Sequence, residues 1–242
     1  MADSSPTLRV TVERSESGMS AVGEFDVPAH DNQTVLDVVS WIQQNSDPTL
    51  TYRFACRVGM CGSCAMMVNG VPRWTCRTHV KKVLDGDHLH LGPLRNLPVI
   101  KDLVVDMDPF FDKWVAAEAI HHPTRSRDDE IVEIDPEGEA RQTANAGIEC
   151  INCSVCYAAC DTVAGNPDYL GPAALQRAWT LLNDAKDGER ERILDAVSGS
   201  GGCHNCHSMG SCTAYCPNEL DPMTAIAGLK RETARGFFRR SG

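Results

Sequence analysis

The chain has 242 residues, of which 42% are hydrophobic, and it carries a formal net charge of -10 at pH 7. This length favours two modest domains over one large core, and the negative charge argues against nucleic acid as a partner. The twelve cysteines could form disulfides only in an oxidising compartment, but no apolar export segment follows Met1, so we expect a cytoplasmic protein with reduced thiols. No run of about 18 apolar residues occurs, and the chain is therefore not expected to cross a membrane by itself.

Strands and a helix are predicted at the start of the chain. Apolar residues alternate with polar ones at residues 7–14 and again at 21–27, which indicates two strands of a half-buried sheet. Thr34 has the character of a helix N-cap, and the apolar residues from Val35 to Ile42 form one face of a short helix behind it.

The first group of cysteines forms a C-x4-C-x2-C loop with a fourth member downstream: Cys56, Cys61, Cys64 and Cys76. A strand at 65–68 and a tight turn at Asn69-Gly70 are predicted to return Cys76 to this loop. The spacing is that of a plant-type [2Fe-2S] site. A structural zinc site is the alternative, because four thiolates also suit zinc, but the glycine-containing loop and the x4 spacing favour iron.

The middle of the chain separates the two cysteine-rich regions. Apolar residues between 99 and 119 recur at helical spacing with a break near Pro109, which predicts a helical segment whose apolar stripe packs between the two domains. The next stretch, from His121 to Thr143, is charged and poor in aromatic residues, and we predict a linker in which His121 and His122 are solvated. Three helices are predicted further on, starting at Gly171-Pro172, around Ile193 and at Asp221-Pro222.

The second group of cysteines is a C-x2-C-x2-C-x3-C run: Cys150, Cys153, Cys156 and Cys160. In bacterial ferredoxins the first three members of such a run bind one cubane, and the fourth binds a different cluster. A second run in the same register consists of Cys206, Cys212 and Cys216-Pro217, but Met209 stands where its second cysteine is expected.

If each run gives its fourth cysteine to the cluster of the other run, the two runs define two further sites. The predicted [4Fe-4S] ligands are Cys150, Cys153, Cys156 and Cys216. The other site has three ligands, Cys160, Cys206 and Cys212. Because a thioether is a poor substitute for a thiolate on iron, we expect this second cluster to lack one corner and to be [3Fe-4S].

Cys203 lies outside this register. With Cys206 and His207 it forms C-x-x-C-H, the pattern of c-type haem attachment, but haem attachment would consume Cys206 and normally requires export. A further alternative is that Cys203 supplies the missing thiolate and produces a [4Fe-4S] cluster. We disfavour it because the position of Cys203 does not match that of Met209.

The predicted fold is α+β. A plant-type ferredoxin domain with a β-grasp fold is expected at residues 1–105, a connecting helix and linker at 106–144, and an all-helical domain of the bacterial ferredoxin type at 145–242. The helical domain would hold the [4Fe-4S] and [3Fe-4S] clusters.

The cysteine motifs, their order and the stretch Tyr169-Leu170-Gly171-Pro172 resemble the iron-sulfur subunit of the succinate dehydrogenase and fumarate reductase family over nearly the whole chain. The resemblance implies an electron-transfer subunit of a succinate:quinone oxidoreductase of the tricarboxylic acid cycle and respiratory chain. It implies two partners, a flavoprotein with covalent FAD and a membrane anchor with quinone and with or without haem b. It also implies a peripheral position at the cytoplasmic face of a prokaryotic inner membrane, without dicarboxylate chemistry on this chain.

By the same resemblance, His207 and Lys230 border the quinone pocket. Asp161 departs from the family pattern, in which proline commonly follows the fourth cysteine of the first run, and this change lies near the expected pocket. The alternative function is an iron-sulfur subunit of a different flavoprotein, such as a soluble or thiol-coupled fumarate reductase.

Overall fold

The computed structural model describes residues 6–16 and 19–240, and the chain divides into two compact units. The first unit comprises the chain up to Met107 together with Ile151–Ala159, and the second comprises Asp108–Cys150 and the chain from Cys160 onward. The two units therefore interleave along the sequence. The predicted domain limits, at residues 105 and 144, follow the sequence order and stay a prediction.

A five-stranded sheet forms the centre of the first unit, and its strands are β1 Thr7–Glu16, β2 Met19–Pro28, β3 Ala65–Val68, β4 Val71–Trp74 and β5 His88–Gly92. The spatial order is β2-β1-β5-β3-β4, in which β1 and β5 are parallel and the other neighbours antiparallel. Leu8, Val10 and Val12 of β1 are buried because alternate residues of a strand face the same side of the sheet. Both predicted N-terminal strands are confirmed.

Helix α1, Val35–Asn45, packs its apolar face into the same core. Thr34 Oγ1 accepts a hydrogen bond from the Asp37 amide at 3.2 Å, and the Asp37 carboxylate accepts one from the Thr34 amide at 2.9 Å. This reciprocal cap gives partners to amides that a helix start leaves unpaired and contributes about 1 kcal/mol. The predicted N-cap and helix are confirmed.

The apolar stretch that follows is only partly helical, so the prediction for it is wrong in its first part. A two-stranded hairpin comes first, β6 Val99–Lys101 and β7 Val104–Val105, and helix α2 is confined to Asp108–Ala116. The hairpin turns at Asp102, whose φ is 48° and whose buried carboxylate accepts hydrogen bonds from the amides of Ser15 and Thr51. These long-range bonds outweigh the helical spacing, since local propensity is a weak preference.

The predicted linker also contains regular structure. Helix α3 occupies Glu139–Ile148 and therefore starts inside the stretch expected to be a linker. His121 is not merely solvated, because its Nδ1 lies 3.2 Å from the carboxylate of Asp187, which also accepts a hydrogen bond from the His122 amide at 2.9 Å. These contacts fasten the connecting chain within the second unit.

Short and medium helices complete the chain: α4 Val155–Ala158, α5 Asp161–Gly165, α6 Pro172–Leu182, α7 Arg190–Ser198, α8 Ser211–Ala214 and α9 Pro222–Arg240. In the second unit, α6 packs against α3 and α9, and α9 packs against α7. Asp221 caps α9 by accepting a hydrogen bond from the Thr224 amide at 3.0 Å. The predicted starts of α6 and α9 are confirmed, as is the α+β class.

No helix in the described part of the chain is long and apolar enough to span a bilayer.

Candidate metal centres

The loop from Cys56 to Cys64 curls around its own sulfur atoms. Three of its residues have positive φ angles, between 59° and 76°: Arg57, Gly59 and Gly62. The curl directs the amides of Val58 and Met60 at Cys56 Sγ, at 3.4 and 3.2 Å. These hydrogen bonds lower the pKa of the Cys56 thiol to about 6, so that its thiolate, the form that binds metal, is favoured near neutral pH.

Cys76 returns to this loop through the β3–β4 hairpin, whose turn residues Asn69 and Gly70 both have positive φ. The Cys76 amide points at Cys64 Sγ at 3.5 Å. Burial, followed by the neighbouring Cys64 and Cys56 sulfurs, raises the pKa of Cys76 to about 11. Such a thiol loses its proton when it coordinates a cation. The four predicted ligands are thus neighbours in space: Cys56, Cys61, Cys64 and Cys76.

Three large apolar side chains are exposed on or next to this loop. Val58 and Met60 are 59% and 69% exposed, and the nearby Phe54 is 39% exposed. The guanidinium of Arg57 lies 4.5 Å from the centre of the Phe54 ring, in a cation–π contact. The loop thus combines inward sulfur ligands with exposed apolar side chains, and apolar residues grouped at a surface are typical of an interaction site.

The loops that carry the two other cysteine runs share one backbone conformation. Positive φ angles flank the central residue of each loop, at Asn152 and Ser154 around Cys153, and at Ser208 and Gly210 around Met209. A short helix then follows in each, α4 from Val155 and α8 from Ser211. Met209 therefore occupies the backbone position that Cys153 has in the first loop.

The central residues of the two loops have different surroundings. Cys153 lies against Gly62, where an added Cβ would be 2.6 Å from the Cys153 Cβ. Met209 is 64% exposed. The second loop thus offers no thiolate at its centre, and the methionine that replaces it is accessible to solvent.

One recess in the second unit is lined by three of the predicted ligands: Cys160, Cys206 and Cys212. Cys206 Sγ accepts a hydrogen bond from the Ser208 amide at 3.4 Å. Burial raises the pKa of Cys212 to about 11, and the Cys160 and Cys206 sulfurs act in the same direction. Three sulfurs gathered in this way suit a metal-sulfur centre with three protein ligands, since a bound cation offsets their mutual repulsion.

The four remaining predicted ligands belong to different units, Cys153 and Cys156 to the first and Cys150 and Cys216 to the second. Within the second unit, Asn218 Nδ2 donates a hydrogen bond to the Glu149 carbonyl at 2.6 Å. This bond ties the chain after Cys216 to the chain before Cys150. Across the described residues, no group of three or more His, Cys, Asp or Glu side chains is arranged to hold a single metal ion.

Cys203 packs away from the recess. Its side chain is fully buried, its Sγ lies 3.9 Å from Thr233 Oγ1 of α9, and burial raises the pKa of its thiol. A thioether link to haem requires an accessible sulfur, so this packing argues against haem attachment at Cys203. The same packing argues against Cys203 as a substitute for the ligand missing at Met209.

The two residues predicted to border the quinone pocket, His207 and Lys230, lie in different positions. His207 is exposed and lines the recess, as does Asp161, whereas Lys230 does not line it. Lys230 Nζ instead donates a hydrogen bond to the carbonyl of Cys206 at 2.6 Å. The apolar side of the recess comes from Pro172, Met209, Met223 and Ile226.

Tyr169 also belongs to this site, although no role was predicted for its side chain. The side chain is 1% exposed and lines the recess with the three cysteines. Burial and then the nearby sulfurs raise its pKa far above the ordinary value, and its hydroxyl is hydrogen-bonded to Cys206. The signal that could have identified it is its place at the head of the Tyr169-Leu170-Gly171-Pro172 stretch.

Comparison with known families supports the order of the two cysteine-rich regions. Residues 7–112 match the family of 2Fe-2S iron-sulfur cluster binding domains, and residues 149–221 match the family of 4Fe-4S dicluster domains. The chain thus carries a [2Fe-2S] domain followed by a domain of the two-cluster type.

Individual relatives extend this likeness to nearly the whole chain. The fumarate reductase iron-sulfur subunit of Escherichia coli O157:H7 is 36% identical over 216 residues, which cover 88% of this chain and 86% of that protein. The succinate dehydrogenase iron-sulfur subunit of Paracoccus denitrificans is 35% identical over 200 residues, covering 81% and 74%. A chain of the Mycobacterium smegmatis Sdh1 complex in the apo form has a TM-score of 0.85 at 25% identity, covering 97% and 98%.

Proposed function

This chain belongs to the family of iron-sulfur subunits of fumarate reductases and succinate dehydrogenases, and we propose that it relays electrons between the FAD of a flavoprotein subunit and quinone at a membrane anchor. It is an electron-transfer subunit of an oxidoreductase, and the dicarboxylate reaction takes place on the flavoprotein. The observation that carries the proposal is the pair of equivalent loops, one with Cys153 and one with Met209 at its centre, downstream of a separate four-cysteine loop.

The [2Fe-2S] cluster is held by Cys56, Cys61, Cys64 and Cys76. Support comes from the four sulfurs being neighbours and from the two amides that donate to Cys56. The apolar face formed by Phe54, Val58 and Met60 is the surface that meets the flavoprotein.

The two-cluster domain holds its clusters by exchange of the fourth cysteine of each run. The [4Fe-4S] ligands are Cys150, Cys153, Cys156 and Cys216, and the [3Fe-4S] ligands are Cys160, Cys206 and Cys212. Met209, with a thioether in place of a thiolate, leaves the second of these clusters without its fourth corner. The recess shared by its three cysteines supports this assignment.

Bound clusters of these types accept and release one electron at a time, at potentials set by cluster type, hydrogen bonds to sulfur and burial. This chain provides the hydrogen bonds to sulfur and the burial. Donor amides at Cys56 stabilise negative charge and favour the reduced state, whereas burial of Cys212 disfavours charge and acts in the opposite direction. Different surroundings thus separate the potentials of the centres.

The quinone binds at the interface with the membrane anchor, next to the recess whose three cysteines hold the [3Fe-4S] cluster. His207 is exposed at the edge of this recess, and its ring N–H can donate a hydrogen bond to a quinone oxygen. The anchor holds the chain at the cytoplasmic face of a prokaryotic inner membrane, as a peripheral subunit. Lys230 acts through the carbonyl of Cys206, which it holds in place.

Metal analysis and EPR spectroscopy of the purified complex test the ligand sets. If the three clusters are present, metal analysis should find about nine iron atoms and about ten acid-labile sulfides per chain. EPR of the oxidised protein should show a [3Fe-4S] signal. Zinc without sulfide, or a single iron centre, would contradict the proposal. An intact chain without the oxidised [3Fe-4S] signal would contradict the role given to Met209.

Co-purification tests the partners. The proposal requires a flavoprotein and a membrane anchor to accompany this chain from solubilised membranes, and the complex to react with ubiquinone or menaquinone analogues. A flavoprotein without an anchor, with activity toward a thiol donor, would instead favour the soluble, thiol-coupled alternative. A His207→Gln complex should show slower quinone turnover while all three clusters remain reducible by dithionite.

A further inference from the structure

Tyr169 is buried beside Cys206 and has no part in the ligand sets assigned above. It is 1% exposed, it lines the same recess as Cys160, Cys206 and Cys212, and its hydroxyl is hydrogen-bonded to Cys206. A buried tyrosine hydroxyl needs a partner, and a cysteine sulfur at a cluster is an acceptor whose negative charge changes with the redox state.

The backbone around Tyr169 is tied on both sides. The Tyr169 amide donates to the Asn166 carbonyl at 3.1 Å, and the Leu170 amide donates to the Gly201 carbonyl at 2.8 Å. Asn166 Nδ2 donates to Asn205 Oδ1 at 3.2 Å. Because Asn205 immediately precedes Cys206, the tyrosine and its acceptor are held by one set of hydrogen bonds.

Close packing reinforces this placement. Gly201 approaches the chain so closely that an added Cβ would lie 2.0 Å from the Asp168 carbonyl oxygen. Asn205 Nδ2 also donates to the Ser200 carbonyl at 2.6 Å, which anchors the residue that contacts Asn166. These contacts fix the backbone on either side of Tyr169, and the ring itself is almost completely buried.

We propose that Tyr169 is a positioning residue that donates a hydrogen bond to the Cys206 sulfur and thereby raises the reduction potential of the [3Fe-4S] centre. The inference rests on the proposed ligand set for that centre. Reduction adds one electron, supplied by the relay itself, and makes the centre more negative. A donor directed at a ligand sulfur stabilises the more negative state, so its removal makes reduction less favourable.

The tyrosine hydroxyl is not the sole donor at the Cys206 sulfur. The Ser208 amide, 3.4 Å from Cys206 Sγ, is a second donor that does not depend on the tyrosine. Loss of the hydroxyl therefore weakens the donor set at Cys206 without abolishing it.

The test is a potentiometric EPR titration of the [3Fe-4S] signal in the purified complex. Tyr169→Phe removes only the hydroxyl. We expect it to retain the oxidised signal and to lower the equilibrium constant for one-electron reduction about tenfold, which is a fall of about 59 mV in midpoint potential. Tyr215→Phe is the matched control, because it removes a hydroxyl from a tyrosine that is 40% exposed and adjacent to Cys216, and the [3Fe-4S] potential should not change.

A second variant covers the case in which Tyr169→Phe fails to assemble. Incorporation of 3,5-difluorotyrosine at position 169 keeps the ring and the hydroxyl but makes the hydroxyl a stronger donor, so the midpoint potential should rise. Unchanged potentials in assembled variants would overturn the role of Tyr169 and leave the ligand set intact. A wild-type complex without the [3Fe-4S] signal would overturn the ligand set and this inference together.

Discussion

The loops at Cys150–Cys156 and Cys206–Cys212 have the same backbone conformation and different ligands. In both, two residues of positive φ surround the central position and a short helix follows. The central side chain is a cysteine packed against Gly62 in one loop and an exposed methionine in the other. We call the positive-φ turn around residue 153 or residue 209 the cradle of its cluster. The turn conformation specifies the cradle, whereas a single side chain at its centre specifies the number of cysteine ligands.

Met209→Cys gives the second loop the same central residue as the first and has the largest expected effect. A thiolate in the position equivalent to Cys153 should complete a fourth iron corner, so nearly all of the oxidised [3Fe-4S] EPR signal should be lost as a [4Fe-4S] centre forms. Met209→Leu is the control, since it has a similar volume without a thiolate and should retain the signal. Full retention of the signal in Met209→Cys would show that equal backbones do not place equal ligands.

Gly62→Ala tests the packing that is particular to the first loop. The added Cβ would lie 2.6 Å from the Cys153 Cβ, at a residue whose φ is 72°. Overpacking and backbone strain together should lower the free energy of unfolding by about 2–4 kcal/mol, measured by urea denaturation. The [2Fe-2S] signal should weaken with it.

Gly70→Ala separates the two causes in that experiment. Gly70 also has positive φ, 76°, but nothing lies within 4 Å of an added Cβ. Replacing it with alanine should lower the free energy of unfolding by about 1 kcal/mol, because only backbone strain is added. Equal losses for Gly62→Ala and Gly70→Ala would rule out a contribution from the contact with Cys153.

Asp47, in the first unit, makes a pH-dependent contribution to stability. Hydrogen bonds from Thr49 and Arg14 lower the pKa of Asp47 from 3.8 to about 2. The folded-state pKa is thus below the unfolded one, so this stabilisation is complete above about pH 4 and is lost as the pH falls toward 2. Asp47→Asn should therefore cost about 1 kcal/mol at pH 7 and almost nothing at pH 2.

The readout for Asp47→Asn is the difference in urea midpoint between the variant and the wild type at each pH, measured on the cluster-free chain because acid releases the sulfide of iron-sulfur clusters. Asp31→Asn, which removes an exposed carboxylate of the same unit, is the control and should leave the urea midpoint at pH 7 unchanged. A constant cost for Asp47→Asn down to pH 2 would contradict an origin in the carboxylate charge.

Gly210→Ser has the smallest expected effect and tests whether the two cradles are interchangeable. Ser154 holds the equivalent place in the first loop with φ of 57°, and an added Cβ at Gly210 meets only Met223 Sδ, at 3.9 Å. The loss of stability should be at most about 1 kcal/mol, with the [3Fe-4S] signal intact. Loss of the centre in this variant would mean that the second cradle needs more backbone freedom than the first.

Local features of the fold were predictable because their causes lie within a few residues. The N-cap at Thr34, the turn at Asn69-Gly70 and the helix start at Asp221-Pro222 each depend on neighbouring side chains and φ angles, and all three are present. The stretch from Val99 was mispredicted because its apolar spacing suits a helix, whereas the carboxylate of Asp102 binds amides far away in sequence. Local patterns contain no information about such partners.

Sequence alone determined the cysteine spacings, the equivalence of Met209 and Cys153, and the α+β order of the two cysteine-rich regions, since loop length and register are properties of the chain itself. Only the tertiary structure decided that Gly62 lies against Cys153, that Tyr169 reaches Cys206, and that His207 rather than Lys230 lines the recess. These contacts join segments that are distant in sequence, and their closeness follows from how the segments pack.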